Sequence, residues 1–242
     1  MQSERTAIVT GAGKRVGRVI AAALLGDGWK VVAHVHGESD SVPQGATKAV
    51  ADLEEPSCAD TIFRAADGLP PVRLLVNNAA RFAWDGFGQF SVAEFDAHMR
   101  SNVRAPALLV DELVRRHAGG DTLVVNILDA KLSAPNPDFL SYTLSKQALL
   151  GLTSLAARAL ADKGIRVNAI APGLMLRSPG QSEDNFRAMH ERNPLGRGVT
   201  SGEIVAALDY LLAASTVTSE VLTIDAGQKF AAPSRDVQFL EP

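Results

Sequence analysis

Seven short runs rich in apolar and β-branched residues, at 7–10, 30–35, 46–50, 72–76, 122–127, 165–169 and 221–224, recur between longer segments with helical spacing. The runs are continuous rather than alternating, so both faces of each strand must be covered. A chain built this way has few options. It forms a mostly parallel sheet with helices on both sides, a doubly wound α/β structure. Helix starts carry their own signals: Pro56 and Asp60 open one, Ser91 with Glu94 reads as a capping box, and Ser201 before Glu203 opens another.

The 242 residues are 46% hydrophobic, enough to bury a full core, and no linker, repeat or low-complexity tract divides them. One domain over 1–242 is expected, with irregular stretches at 37–45, 174–198 and in the tail 231–242. A formal charge of −3 without a basic run argues against nucleic acid or an anionic membrane as partner. Residues 1–5 are polar and no eighteen apolar residues run unbroken, so a soluble, cytoplasmic protein with a small-molecule substrate is expected. Cys58 is the only cysteine, which excludes an internal disulfide and a cysteine-rich metal centre. No metal site is expected, and His34 and His36 are assigned to opposite sides of the second strand.

The first run passes into Thr-Gly-Ala-Gly-Lys-Arg-Val-Gly at 10–17, followed by a helix-forming run at 18–25. Strand, glycine turn and helix come in the order that a pyrophosphate site needs. Gly11, Gly13 and Gly17 lack a Cβ, which lets peptide N–H groups approach phosphate oxygens at the positive end of a helix. The second run ends in His34-Val35-His36-Gly37, with no carboxylate to accept a free ribose 2′-hydroxyl. That favours NADP(H) over NAD(H); Glu38 and Asp40 are the residues that weigh the other way.

Tyr142 and Lys146 stand four apart at the start of a helix pattern over 141–163, so both project from one face. A phenol with an ordinary pKa near 10 is a poor proton shuttle at neutral pH. The Lys146 ammonium, with the positive nicotinamide, is expected to favour the phenolate.

Together these elements resemble the short-chain dehydrogenase/reductase family, from Thr6 to about Lys229. The family's Thr-Gly-x-x-x-Gly-x-Gly turn is matched with Arg15 in place of the middle glycine. Asp52-Leu53 resembles the adenine contact, Asn77-Asn78-Ala79-Ala80 the Asn-Asn-Ala-Gly element, Asn102 the helix asparagine that holds a relay water, and Pro172-Gly173 the end of the sixth strand. Residues 221–227 resemble the final strand and turn, with Ala226 where glycine is usual. The resemblance implies a Rossmann-type fold with a central seven-stranded parallel sheet flanked by helices on both faces. It also implies an NAD(P)H-dependent oxidoreductase in which Tyr142 exchanges the proton and Lys146 tunes it and holds the nicotinamide ribose. Gly11, Lys14, Arg15, Val16, His36, Asp52, Leu53, Asn78, Ala79, Lys146, Pro172 and Gly173 would bind the cofactor.

The departures are informative. Asp129 stands where the family carries a serine, Arg15 replaces a glycine, and Phe82 follows Asn-Asn-Ala. A carboxylate accepts from ring N–H and amino groups, or donates if its pKa is raised, where a serine would serve a ketone oxygen. All three resemble the pteridine reductase and dihydromonapterin reductase branch, which implies reduction of a pterin held by Phe82, Asp129 and Tyr142, with Asn102 completing the relay. Trp84 and Phe87 compete for the stacking role. A general carbonyl reductase is the alternative activity, and a non-catalytic NADP sensor the alternative class. A homo-oligomer, tetramer or dimer, is implied, with Leu149, Leu152, Leu155 and Ala156 available either to it or to this chain's own sheet. In the tail, Val237, Phe239 and Leu240 are candidate anchors.

Overall fold

In the computed structural model, which describes residues 4–178 and 180–240, the seven runs form one parallel sheet in the order β3-β2-β1-β4-β5-β6-β7. The strands are β1 Thr6–Val9, β2 Lys30–Val35, β3 Thr47–Val50, β4 Val72–Asn77, β5 Thr122–Ile127, β6 Ile165–Pro172 and β7 Val221–Ile224. Seven helices accompany them: α1 Arg15–Gly26, α2 Cys58–Arg64, α3 Val92–Met99, α4 Ala105–Arg116, α5 Leu140–Leu160, α6 Glu183–Glu191 and α7 Ser201–Ala213.

The continuous apolar runs follow from a sheet with two buried faces. Ala7, Val9, Val31 and Leu74 point into one core, built with Ile20 and Leu24 of α1 and Ile204 and Leu208 of α7. Their neighbours Ile8, Val32 and Leu75 point into the other, against Ile62 of α2, Leu109 of α4 and Ala157 of α5. Each strand therefore offers apolar side chains in both directions.

Several boundaries differ from expectation, three of them for a clear physical reason. The glycine turn folds directly into the first helical turn, so α1 begins at Arg15 rather than residue 18. The cap of α7 is Thr200, not Ser201, with the Glu203 carboxylate accepting the Thr200 N–H at 2.7 Å. Strand β6 runs on to Pro172 because β7 pairs with it as far as Ile224. Asn102 lies in a π-helical segment, Arg100–Arg104, between α3 and α4.

Strands β1 and β4 are neighbours, while the chain winds outwards from them in both directions. Their C-terminal ends therefore leave a crevice, the position where open α/β sheets bind ligands. On α5, Leu149 and Ala156 pack inward at 2% and 8% exposure, whereas Leu155 is 71% exposed. Cys58 is buried. Among the described residues, no helix is long and apolar enough to cross a membrane.

Candidate active site

The glycine turn at the crevice is held by side chains from three strands. Gly11, at φ +66°, donates its N–H to Nδ1 of the buried His34 at 3.2 Å. The other ring nitrogen faces the Ala51 carbonyl at 3.0 Å, so Nε2 carries the proton and Nδ1 accepts. Burial holds the His34 pKa below its usual value, which keeps the ring neutral for both bonds. Asn78 donates its side-chain amide to the Thr10 carbonyl at 2.8 Å, and Thr10 Oγ1 accepts the N–H groups of Asn78 and Ala79 at 2.9 and 3.0 Å. A Cβ on Gly17 would stand 2.3 Å from the Gly11 carbonyl oxygen and 2.5 Å from Asn78 Nδ2, so only glycine fits.

Arg15 has φ +51°, a left-handed backbone that L residues rarely adopt, which is the physical reason a glycine is usual there. Its guanidinium donates to the Arg177 carbonyl at 3.1 Å and so joins the turn to the segment after β6. His34 and His36 both line the crevice. The expectation of opposite sides fails because residues two apart on a strand share a face.

The crevice opens into a cleft of about 730 Å³, a size suited to small-molecule binding. Gly11, Lys14, Arg15, Val16, His36, Asp52, Leu53, Asn78, Ala79, Lys146, Pro172 and Gly173, the residues that the resemblance assigns to the cofactor, all line it, whereas Gly13 and Gly17 of the turn do not. Asp40 turns back to accept the Gly37 N–H at 2.9 Å, and the Glu38 carboxylate lies 4.0 Å from Lys48. Neither acid lines the cleft. The Cβ-free cradle, with Lys14, Arg15 and His36 beside it, fits a dinucleotide carrying an additional phosphate.

At the opposite end the Tyr142 hydroxyl donates to Asp129 Oδ2 at 2.8 Å. Asp129 Oδ1 accepts the Lys131 N–H at 2.9 Å, which fixes the carboxylate at the start of a short 3-10 turn, Ala130–Ser133. Lys146 donates to the Ile127 carbonyl at 2.7 Å, with its ammonium 5.7 Å from the Tyr142 ring centroid. Burial pushes the Tyr142 phenol well above its usual pKa, and the Asp129 charge adds to the rise. In this pocket desolvation and the Asp129 carboxylate act against the phenolate that Lys146 and a bound nicotinamide would favour. Burial also pushes the Asp129 carboxyl up, against its bonds to Lys131 and Tyr142, and brings Lys146 down to about 8. Desolvation and the carboxylate thus favour the neutral phenol, the form that can donate a proton.

Phe82 lines the cleft and meets Tyr142 edge-on, with centroids 4.8 Å apart and planes at 87°. Trp84 and Phe87, its competitors in the sequence, do not line the cleft and are 43% and 82% exposed. The backbone on either side of Phe82 is pinned by buried side chains. Asn102 Oδ1 accepts the Arg81 N–H at 2.7 Å, and His98 Nε2 accepts the Ala83 N–H at 3.2 Å. Asn102 also donates to the Arg81 carbonyl and to Ser145 Oγ, at 3.0 and 2.9 Å. It is 1% exposed and, unlike the other assigned residues, does not line the cleft.

Sequence reasoning missed Asp85. Its buried carboxylate accepts the Ser141 N–H at 2.8 Å and the Ser141 hydroxyl, capping α5 one residue before Tyr142. The cap position itself, Phe139, has φ +55° and no capping side chain, so the cap comes from a distant loop. Lys131, Asp138 and Asp236 were missed as well.

What the sheet and the cleft define is an oxidoreductase of the dinucleotide-binding α/β class. The family model described as Enoyl-(Acyl carrier protein) reductase matches residues 11–229. L-xylulose reductase from Bos taurus is 31% identical, over 92% of this chain and 96% of its own. Pteridine reductase 1 from Leishmania tarentolae is 30% identical, over 91% and 95%. The crystal structure of FolM alternative dihydrofolate reductase 1 from Brucella canis complexed with NADP superposes with a TM-score of 0.88 and 33% identity, covering 98% of each chain. The chain belongs to the short-chain dehydrogenase/reductase family.

Proposed function

We propose that the protein is an NADPH-dependent reductase of a pterin ring, of the dihydropterin, dihydrofolate or dihydromonapterin type. The observation that carries this reading is the Tyr142–Asp129 hydrogen bond inside the cleft, at the place where a hydroxyl would serve a ketone. A half-buried carboxylate accepts N–H and amino groups, which a reduced pterin presents and a simple ketone does not. The Phe82 ring beside it supplies an aromatic wall for a flat heterocycle.

NADPH, when bound, supplies the hydride. Lys14, Arg15 and His36 would hold its 2′-phosphate, Gly11 and Val16 its pyrophosphate, and Asp52 and Leu53 its adenine. Asn78, Ala79, Lys146, Pro172 and Gly173 would hold the nicotinamide half. Tyr142, kept as a phenol, gives a proton to the ring nitrogen next to the reduced carbon. Asp129 orients the ring and, with its carboxyl pushed up, can carry a proton itself. Asn102 acts from behind, through Arg81 and Ser145. The exposed Leu155 on α5 supplies part of a face for a homo-oligomer.

A general carbonyl reductase is the second reading, favoured by the likeness to L-xylulose reductase. NADPH oxidation by the purified protein with a dihydropterin, dihydrofolate and a set of ketones separates the two, each assay repeated with Tyr142→Phe and Asp129→Ser. Pterin-dependent oxidation lost in both variants is the expected result. Ketone reduction that survives or improves in Asp129→Ser would replace the pterin reading with the carbonyl one.

A further inference from the structure

The family match ends at residue 229, yet Ala232, Pro233, Asp236 and Val237 beyond it line the cleft. This segment is anchored at both ends. Arg235 forks onto Asp138 at 2.7 and 2.9 Å, and the Asp236 N–H adds a bond to the same carboxylate at 2.8 Å. Asp138 is only 6% exposed; burial alone would raise its pKa, but these bonds hold it below its ordinary value. Lys131 Nζ joins the group, donating to the Asp138 carbonyl at 2.6 Å and to Asp236 Oδ2 at 3.2 Å. At the far end Asn185 of α6 donates to the carbonyls of Val237 and Leu240, at 3.3 and 2.6 Å.

Between the anchors runs a relay of rings. Phe239 stacks on Phe139 with centroids 5.9 Å apart and planes at 18°, and Phe139 stacks on Phe82 at 4.3 Å and 21°. Phe139 holds φ +55°, a backbone state that a phenylalanine keeps only when its surroundings enforce it. Asp138, the residue clamped by Arg235, immediately precedes it.

We propose that the C-terminal strap, residues 232–240, is a specificity-determining part of the substrate site: through Phe239 and Phe139 it fixes the Phe82 wall, and the Arg235–Asp138 pair holds the relay in place. The inference deepens the reductase reading and rests on it only for the identity of the ring that Phe82 meets. Arg235 and Phe239 are positioning residues.

The test uses the full chain with Phe239→Ala, Phe239→Tyr and Arg235→Ala. Phe239 is 42% exposed, so its truncation leaves the core intact. For whichever of the dihydropterins or ketones the parent protein reduces, Phe239→Ala and Arg235→Ala should raise KM by up to about tenfold, with kcat within about twofold. The Kd for NADPH should stay within about twofold, and Phe239→Tyr should restore the parent KM. Amide hydrogen exchange should speed up in peptides spanning 80–84 and 137–142. Unchanged KM and exchange, or a parallel loss of NADPH affinity, would overturn the strap. Turnover of ketones alone would sink the pterin reading and leave KM for the ketone to judge the strap. A protein that reduces nothing leaves that decision to exchange at Phe82.

Discussion

The Tyr142 hydroxyl donates to the Asp129 carboxylate over 2.8 Å, so the two groups proposed to protonate and to orient the substrate form one unit. Such a pair titrates jointly, each group shifting the other. The Asp129 charge helps to hold the phenol protonated, and removing it takes away part of the rise in the Tyr142 pKa.

In Asp129→Ser, therefore, the alkaline limb of kcat/KM, where the phenol ionises, should move to lower pH. Pterin turnover should fall by about a hundredfold, the scale of a lost proton-transfer or orienting group. Profiles of kcat/KM against pH for parent and variant check this. A limb that stays in place would assign it to a group other than Tyr142.

Lys146 gives a prediction about stability. The unfolded chain keeps a proton on this lysine up to its ordinary value of 10.5, the folded chain only up to about 8. Between those values the unfolded state binds more protons, so stability should rise with pH across that window. Below it, the buried ammonium costs the fold up to about 3 kcal/mol. Lys146→Met should remove this dependence, raise stability near neutral pH and cut turnover by at least about a hundredfold. Urea unfolding at about pH 7 and about pH 10 reads the difference. A variant less stable than the parent at neutral pH would show that the bond to Ile127 outweighs desolvation.

The strands were legible because a sheet buried on both faces leaves unbroken apolar runs such as Val31–Val32 and Leu74–Leu75. The cleft residues were legible because the glycine turn, Asn78 and the Tyr142–Lys146 spacing are local patterns. What escaped depends on pairs remote in sequence. Asp85 lies 56 residues from Ser141, and Asp138 lies 97 from Arg235; each alone looks like a solvated loop charge. The pull of burial and Asp129 on the Tyr142 phenol escaped for the same reason, since spacing shows the lysine beside it but not the depth of the pocket.

Asp85 should matter to both stability and catalysis. In Asp85→Ala the fully buried Ser141 would lose the acceptor for its N–H and hydroxyl at the start of α5. Leaving such donors unpaired and removing a cap costs roughly 2–3 kcal/mol, a fall in Tm of about 6 °C for a chain of this size. Because Tyr142 follows directly, kcat should drop while the Kd for NADPH holds. Thermal unfolding and steady-state kinetics check the pair of effects, and an unchanged Tm would mean that water replaces the carboxylate.

Arg15 and Ala226 hold φ of +51° and +50°, at two of the positions where the family usually carries a glycine. The strain is similar, but only Arg15 has a second role. Ala226→Gly should relieve the left-handed backbone, less the extra entropy of glycine, and gain about 1 kcal/mol. Arg15→Gly should gain a comparable amount from the backbone and lose the guanidinium proposed to hold the 2′-phosphate. Its KM for NADPH should rise by about tenfold or more while that for NADH stays nearly constant, so the preference between the two cofactors narrows. Thermal melts and cofactor titrations of both variants separate the two contributions. A stabilised Arg15→Gly protein that still prefers NADPH as strongly as its parent would move phosphate recognition to Lys14 and His36. A destabilised one would show that the bond from Arg15 to the Arg177 carbonyl contributes more than the strain costs.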